Sequence, residues 1–123
     1  MGNITIKELL ELPIKLTPVL NVPTGYGPWT VEKQEVVIDE IFKGFIVGGF
    51  TWKDEYTIVD VNSYHLYTSI HDFIGGKFTL HGVKYEELTD VQKNVFLEYK
   101  LSYLQDNRSL DERKKAIMKH YNL

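Results

Sequence analysis

Cysteine is missing from all 123 residues, which excludes disulfides, a thiolate nucleophile and any cysteine-based metal site. Its absence fits a reducing compartment. No apolar run approaches the roughly 18 residues that a membrane-spanning helix needs. The opening MGNITIKELLEL has neither a basic n-region nor a continuous apolar h-region, so it does not read as a secretory signal. Ile6 stands where a myristoylation pattern wants Ser or Thr. Alanine is nearly absent too, with Ala116 alone, and two arginines stand against twelve lysines. Alanine and arginine codons are GC-rich, whereas those of Lys, Ile, Asn and Tyr are AT-rich. The coding bias therefore points to an AT-rich genome, such as a low-GC bacterium or one of its phages. A cytoplasmic protein follows, in the bacterial host cytoplasm or in a virion, with no membrane partner.

What is present describes a globular chain. The hydrophobic fraction of 43% beside 25% charged residues is that of a foldable domain, and residues 1–123 fit one domain with a core of its own. The net charge of −3 does not favour nucleic acid or an anionic membrane. The charge is uneven, however. Residues 1–88 hold 12 acidic and 7 basic side chains, and residues 89–123 hold 5 and 7.

Local signals divide the chain. Capping boxes occur at Thr5/Glu8, Thr89/Gln92 and Ser109/Glu112, where a hydroxyl accepts an N3 amide and the Glu or Gln accepts the cap amide. The first predicts a short helix over 6–12, with Ile4 stapled to Leu9 and Pro13 as its stop. All four prolines fall within 13–30, which excludes a long helix and leaves a short edge strand over 14–22, then a loop in which Tyr26 and Trp29 pack inward. A second helix is predicted over 31–43. Thr30 caps it, Val37, Ile38, Ile41 and Phe42 form its buried stripe, and Gly44 and Phe45 supply a Schellman ending. Segments 45–52 and 56–61 read as a hairpin, with Gly48 and Gly49 marking a bulge or a close backbone approach. Residues 63–75 read either as a strand continuing through Ile70 or, preferred, as a helix capped by Ser63, carrying Tyr64, Tyr67, Ile70 and Ile74 and closed by Gly75. A second hairpin, 78–85, turns at His81-Gly82.

The next segment, LTDVQKNVFLEYKLSYLQD (88–106), shows two apolar faces when plotted as a helix. Val91, Val95, Phe96, Tyr99 and Tyr103 form one, expected to lie on the hairpins. Leu97, Leu101 and Leu104 form the other. After the break at QDNR, a last helix over about 110–121 buries Leu110, Ile117 and Tyr121. It makes an αα-hairpin that either covers the leucines or leaves them to another protein. The expected fold is α+β: a small antiparallel sheet of two β-hairpins packed by helices, ending in that αα-hairpin.

Motifs for chemistry are weak. GGKFT has His71 at the first glycine position of a phosphate loop and Phe78 after Lys77, so it is rejected. The histidines, His65, His71, His81 and His120, lack compact metal spacing; a site of His71, Asp72 and His81 would need tertiary assembly. The four serines, Ser63, Ser69, Ser102 and Ser109, lie in no GxSxG elbow. No enzyme, metal or cofactor is expected. Aromatic residues reach 13%, which serves either an interface or a core short of alanine.

The expected function is a non-catalytic protein–protein interaction module, an assembly component or an inhibitor or adaptor that binds a host protein. The partner is protein, either a second copy or a host protein. The partner-binding residues expected are Leu97, Leu101, Leu104, Tyr103 and Trp52. The alternative is a nucleic-acid accessory protein, with Arg108, Arg113, Lys114, Lys115 and Lys119 contacting phosphate and hairpin aromatics stacking on bases.

Overall fold

A computed structural model of the chain describes residues 2–16, 29–54, 56–58 and 60–105. Strand β1, Gly2–Thr5, opens it and passes directly into helix α1, Ile6–Glu11. The Thr5 capping box forms: its hydroxyl accepts the Glu8 amide at 3.1 Å, and the Glu8 carboxylate accepts the Thr5 amide at 3.2 Å. Ile4 and Leu9 are both buried, as a staple requires. After Pro13 comes β2, Lys15–Leu16, an edge strand within the expected region.

Helix α2, Val31–Phe42, is capped by Thr30 and buries Val37, Ile38 and Ile41. It ends in a Schellman motif, with the Phe45 amide donating to the Glu40 carbonyl at 2.9 Å and the Gly44 amide to Ile41 at 3.1 Å. Gly44 takes φ +77°, a conformation that costs glycine little. The first expected hairpin forms as β3, Gly49–Lys53, and β4, Thr57–Ile58. Helix α3, Val61–Ile74, follows. Its cap is Asp60, not Ser63, and its buried stripe centres on Leu66, Ile70 and Phe73, offset from the expected one.

The second hairpin shrinks to a tight turn. Leu80 and Val83 exchange both backbone hydrogen bonds around His81 and Gly82, both at positive φ, but no strand of the sheet grows from them. One 3-10 turn, Tyr85–Glu87, leads into α4, Asp90–Leu97, which carries the Thr89/Gln92 capping box. The chain then becomes strand β5, Lys100–Gln105.

The sheet order is β1-β5-β3-β4-β2, and the sheet is mixed rather than antiparallel. Strand β5 runs antiparallel to β1 and parallel to β3, while β2 runs parallel to β4. The long helix expected over 90–105 therefore does not exist. The residues 99–105 alternate as a strand does, and β5 finds hydrogen-bonding partners on both sides. The αα-hairpin fails in its first half, because α4 stops at Leu97 and a strand follows. Its second half, with Leu110, Ile117, Tyr121 and the Ser109 cap, lies outside the described residues, as do Tyr26 and His120.

The core sits on one face of the sheet. Ile4, Leu101, Phe50 and Trp52 point into it from the strands, against residues of the helices. Much of the aromatic content fills this core. Phe42, Phe73, Tyr85 and Phe96 form one ring cluster, and Phe50, Trp52, Tyr56 and Tyr103 a second. At Gly49 the backbone of β3 approaches β5 so closely that a Cβ would lie 2.5 Å from the Ser102 carbonyl oxygen. Of the glycine pair, Gly49 marks the close approach that the sequence suggested, while a Cβ at Gly48 would meet nothing within 4 Å.

Candidate functional site

The two faces of the expected helix are dismantled. Leu101 is 1% exposed and belongs to the core, whereas Leu104 points to the other side of the same strand and is 42% exposed. Leu97 remains on α4, half-buried. Trp52 is enclosed in the core and Tyr103 stacks on it. Leu101 and Trp52, expected to bind a partner, lie in the core, because strand pairing turns both inward. Of the face expected to meet the hairpins, Phe96 is buried but Val91 and Val95 are exposed. Arg108, Arg113, Lys114, Lys115 and Lys119 lie outside the described residues.

His71, Asp72 and His81 are not brought together into a site. The His81 ring lies 3.1 Å from Asp39 on α2 and its amide donates to Glu35 at 2.8 Å. Asp72 pairs with Lys77 at 3.4 Å, and His71 packs on Tyr67. Asp39, bonded also to Lys43 at 2.7 Å, has its carboxyl held below the usual range, first by Lys43 and then by His81. Among the described residues no group of His, Cys, Asp and Glu has the arrangement to hold a metal.

The candidate site is instead a cleft of about 410 Å³ between α2 and α3. Lys33, Val37 and Glu40 line it from α2. Asn62 and Leu66 line it from α3, with the helix cap Asp60 beside them, and the loop 46–49 and Trp29 complete the rim. Asp60 is placed by local physics: Oδ2 accepts the Ser63 amide at 3.1 Å and so satisfies the helix N-terminus. The Ser63 hydroxyl in turn accepts the Thr51 amide at 3.0 Å, tying this end of α3 to β3. Lys33 holds its ammonium 5.3 Å from the centre of a Trp29 ring.

Two buried polar atoms lack partners, one of them on Asp60. Among the described residues, Asp60 Oδ1 and His65 Nε2 are the buried side-chain atoms with no hydrogen bond. His65 is 5% exposed, and its ring stacks on Trp29 at 5.4 Å and 25°. Desolvation lowers its pKa below the ordinary histidine value, because burial disfavours the charged ring. Buried polar groups are nearly always paired, so an unpaired oxygen on Asp60, a residue that lines the cleft, is a signal in itself. Neither is readable from the sequence, where Asp60 falls in an expected strand and His65 looks like any surface or satisfied histidine.

A larger cleft, about 540 Å³, opens by Trp52, Tyr103, Glu8 and Gln105. Two of its polar groups are already engaged: Glu8 serves the Thr5 capping box and the Gln105 amide donates to the Asp54 carbonyl at 2.6 Å. The cleft at Asp60 has a carboxylate residue on each helix side, Glu40 and Asp60, with the apolar Val37 and Leu66 also lining it. It can bind a hydrogen-bond donor or a cation. No family model, no curated protein and no solved structure matches this chain, so the reading of the cleft rests on its geometry.

Proposed function

We propose that this chain is a non-catalytic protein–protein interaction module. The observation that supports this reading is the lip of the cleft: Ile46 is 92% exposed and Phe45 beside it 58%. The backbone of Phe45 is held on both sides. The Phe45 amide completes the Schellman motif of α2, and its carbonyl accepts the Tyr99 hydroxyl. Phe45 is therefore held out into solvent by a fixed backbone, and Ile46 follows it directly in the chain. Exposure of that kind is costly alone and useful in a contact. Val91 and Val95 on α4 are further exposed apolar side chains. The AT-rich coding bias fits a phage or low-GC bacterial source, and an assembly component or an inhibitor or adaptor of a host protein fits the reading.

Site-specific photocrosslinking in cells tests it. A photoreactive residue at Ile46 should give one discrete protein adduct, absent when Phe45→Ser is added and absent from the control position Lys7. An adduct at twice the chain mass identifies a second copy as the partner; any other single mass identifies a different protein. No adduct, or the same ladder from Lys7, refutes the reading.

A further inference from the structure

We infer that the cleft beside Tyr56 and Tyr103 binds an alkylated ammonium group. This cleft, of about 540 Å³, shares no lining residue with the one at Asp60. Its aromatic side is built by the β3–β4 hairpin and β5. Tyr103 stacks on Trp52 with planes 25° apart, and Tyr56 stands almost square to Trp52, at 84°. Trp52 is enclosed and backs the other two rings, which are half-buried. Both tyrosines are set by backbone. The Tyr56 carbonyl accepts the Lys15 amide at 3.0 Å, which ties the residue to β2 at φ +62°. Tyr103 lies across from Gly2 in the β1–β5 register, and a Cβ on Gly2 would stand 2.6 Å from its hydroxyl oxygen. A bare backbone at position 2 leaves the ring its room.

The charged side is acidic. Glu8 and Glu11 line the cleft from α1, three residues apart and so on one face of the helix. Glu8 spends Oε1 on the Thr5 amide and hydroxyl, at 3.2 and 3.0 Å, and no described residue bonds its Oε2. Glu11 is exposed and makes no ion pair among the described residues. Among those residues no Lys, Arg or His lines the cleft, so an anion meets two carboxylates and no counter-charge. A cation is drawn in, and the rings select its kind. The negative face of an aromatic ring attracts a cation within about 6 Å of its centre. An ammonium with methyl groups in place of hydrogens lays apolar surface on the rings and keeps its charge. A guanidinium brings five donors, more than this cleft answers, since Glu8 Oε1 and the Gln105 amide are engaged. A bare metal ion needs a set of ligands that no group of the described residues supplies.

The test is an amide-resolved NMR titration of the full chain with choline, set against 3,3-dimethylbutan-1-ol, which puts carbon in place of the charged nitrogen and keeps the shape. Choline should shift the amides of Glu11, Leu12, Tyr56 and Gln105 and bind roughly tenfold tighter than the alcohol. Glu8→Gln combined with Glu11→Gln keeps the capping box, in which glutamine also serves, and should cut that preference several-fold at a nearly unchanged urea midpoint. Tyr56→Leu, which removes a ring and no charge, should cut it in the same direction. Equal binding of the two probes, shifts located elsewhere, or a preference that survives both variants overturns the inference. N-acetyl-trimethyllysine methylamide separates the sources of the ligand. Tighter binding than choline assigns the cleft to a modified lysine of a protein, and equal or weaker binding to a free small ammonium compound.

Discussion

Tyr103 stacks on Trp52 across the parallel β3–β5 pair, with ring centres 5.0 Å apart and planes 25° from parallel. Trp52 also meets Phe50 and Tyr56, so it is the centre of an aromatic wall inside the sheet, not an exposed anchor. Trp52→Ala should cost about 3–5 kcal/mol in urea unfolding. A double-mutant cycle with Tyr103→Leu should return a coupling of about 0.5–1.5 kcal/mol, since stacked rings gain beyond their buried area. A coupling near zero means that the two rings do not stack.

Leu101 and Leu104 test the strand directly. On a helix they would share a face and respond alike. On β5 they point to opposite sides, with Leu101 in the core and Leu104 half open. Leu101→Ala should cost about 2–5 kcal/mol, and Leu104→Ala should stay within about 0.5 kcal/mol. Similar losses at both positions would restore the helix.

His65 should make stability pH-dependent. Its folded pKa lies below the unfolded value of 6.5, because burial excludes the charged form. The unfolded chain then binds the extra proton, so stability is full above pH 6.5 and falls as the pH drops toward the folded pKa. Asp39 acts lower down: its depressed pKa gives stability that is present above 3.8 and lost as the pH falls through the folded value. His65→Leu should flatten the upper limb and leave the lower one. It also removes the unpartnered Nε2, so it should not lower the urea midpoint at neutral pH. A wild-type and variant pair with the same slope below pH 6.5 refutes the assignment.

At Gly49 the backbone of β3 leaves no room for a Cβ against Ser102 of β5. A methyl group there meets the Ser102 carbonyl, which belongs to backbone and cannot turn aside. Gly49→Ala should therefore cost about 1–3 kcal/mol through overpacking, and adding Ser102→Gly should not restore the loss. Gly48→Ala meets open space but keeps the strain of φ +97°, so it should cost about 1 kcal/mol. Chemical denaturation of the three variants separates clash from backbone strain.

The sequence by itself determined the local punctuation. Thr5, Thr30 and Thr89 start their helices because a hydroxyl reaches an orphan amide a few residues away. Gly44 ends α2 because glycine alone enters the left-handed region without cost, and His81-Gly82 turns the chain tightly for the same kind of reason. These are short-range interactions, complete within a few residues. The stretch 99–105 is different. Tyr99, Leu101 and Tyr103 satisfy a strand's period of two, while Leu97, Leu101 and Leu104 satisfy a helix's three to four. Only the tertiary structure chose between them, because β1 and β3 flank β5 and supply the hydrogen bonds that a helix would have made internally. That choice buried Leu101 and Trp52, freed Leu104 and removed the leucine face from which an interface had been expected. The cleft was decided at the same level. Asp60, Glu40 and Trp29 are far apart along the chain, and no local pattern states that an oxygen of Asp60 goes unpaired. Pairing and burial are properties of the folded chain, set by which distant segments meet.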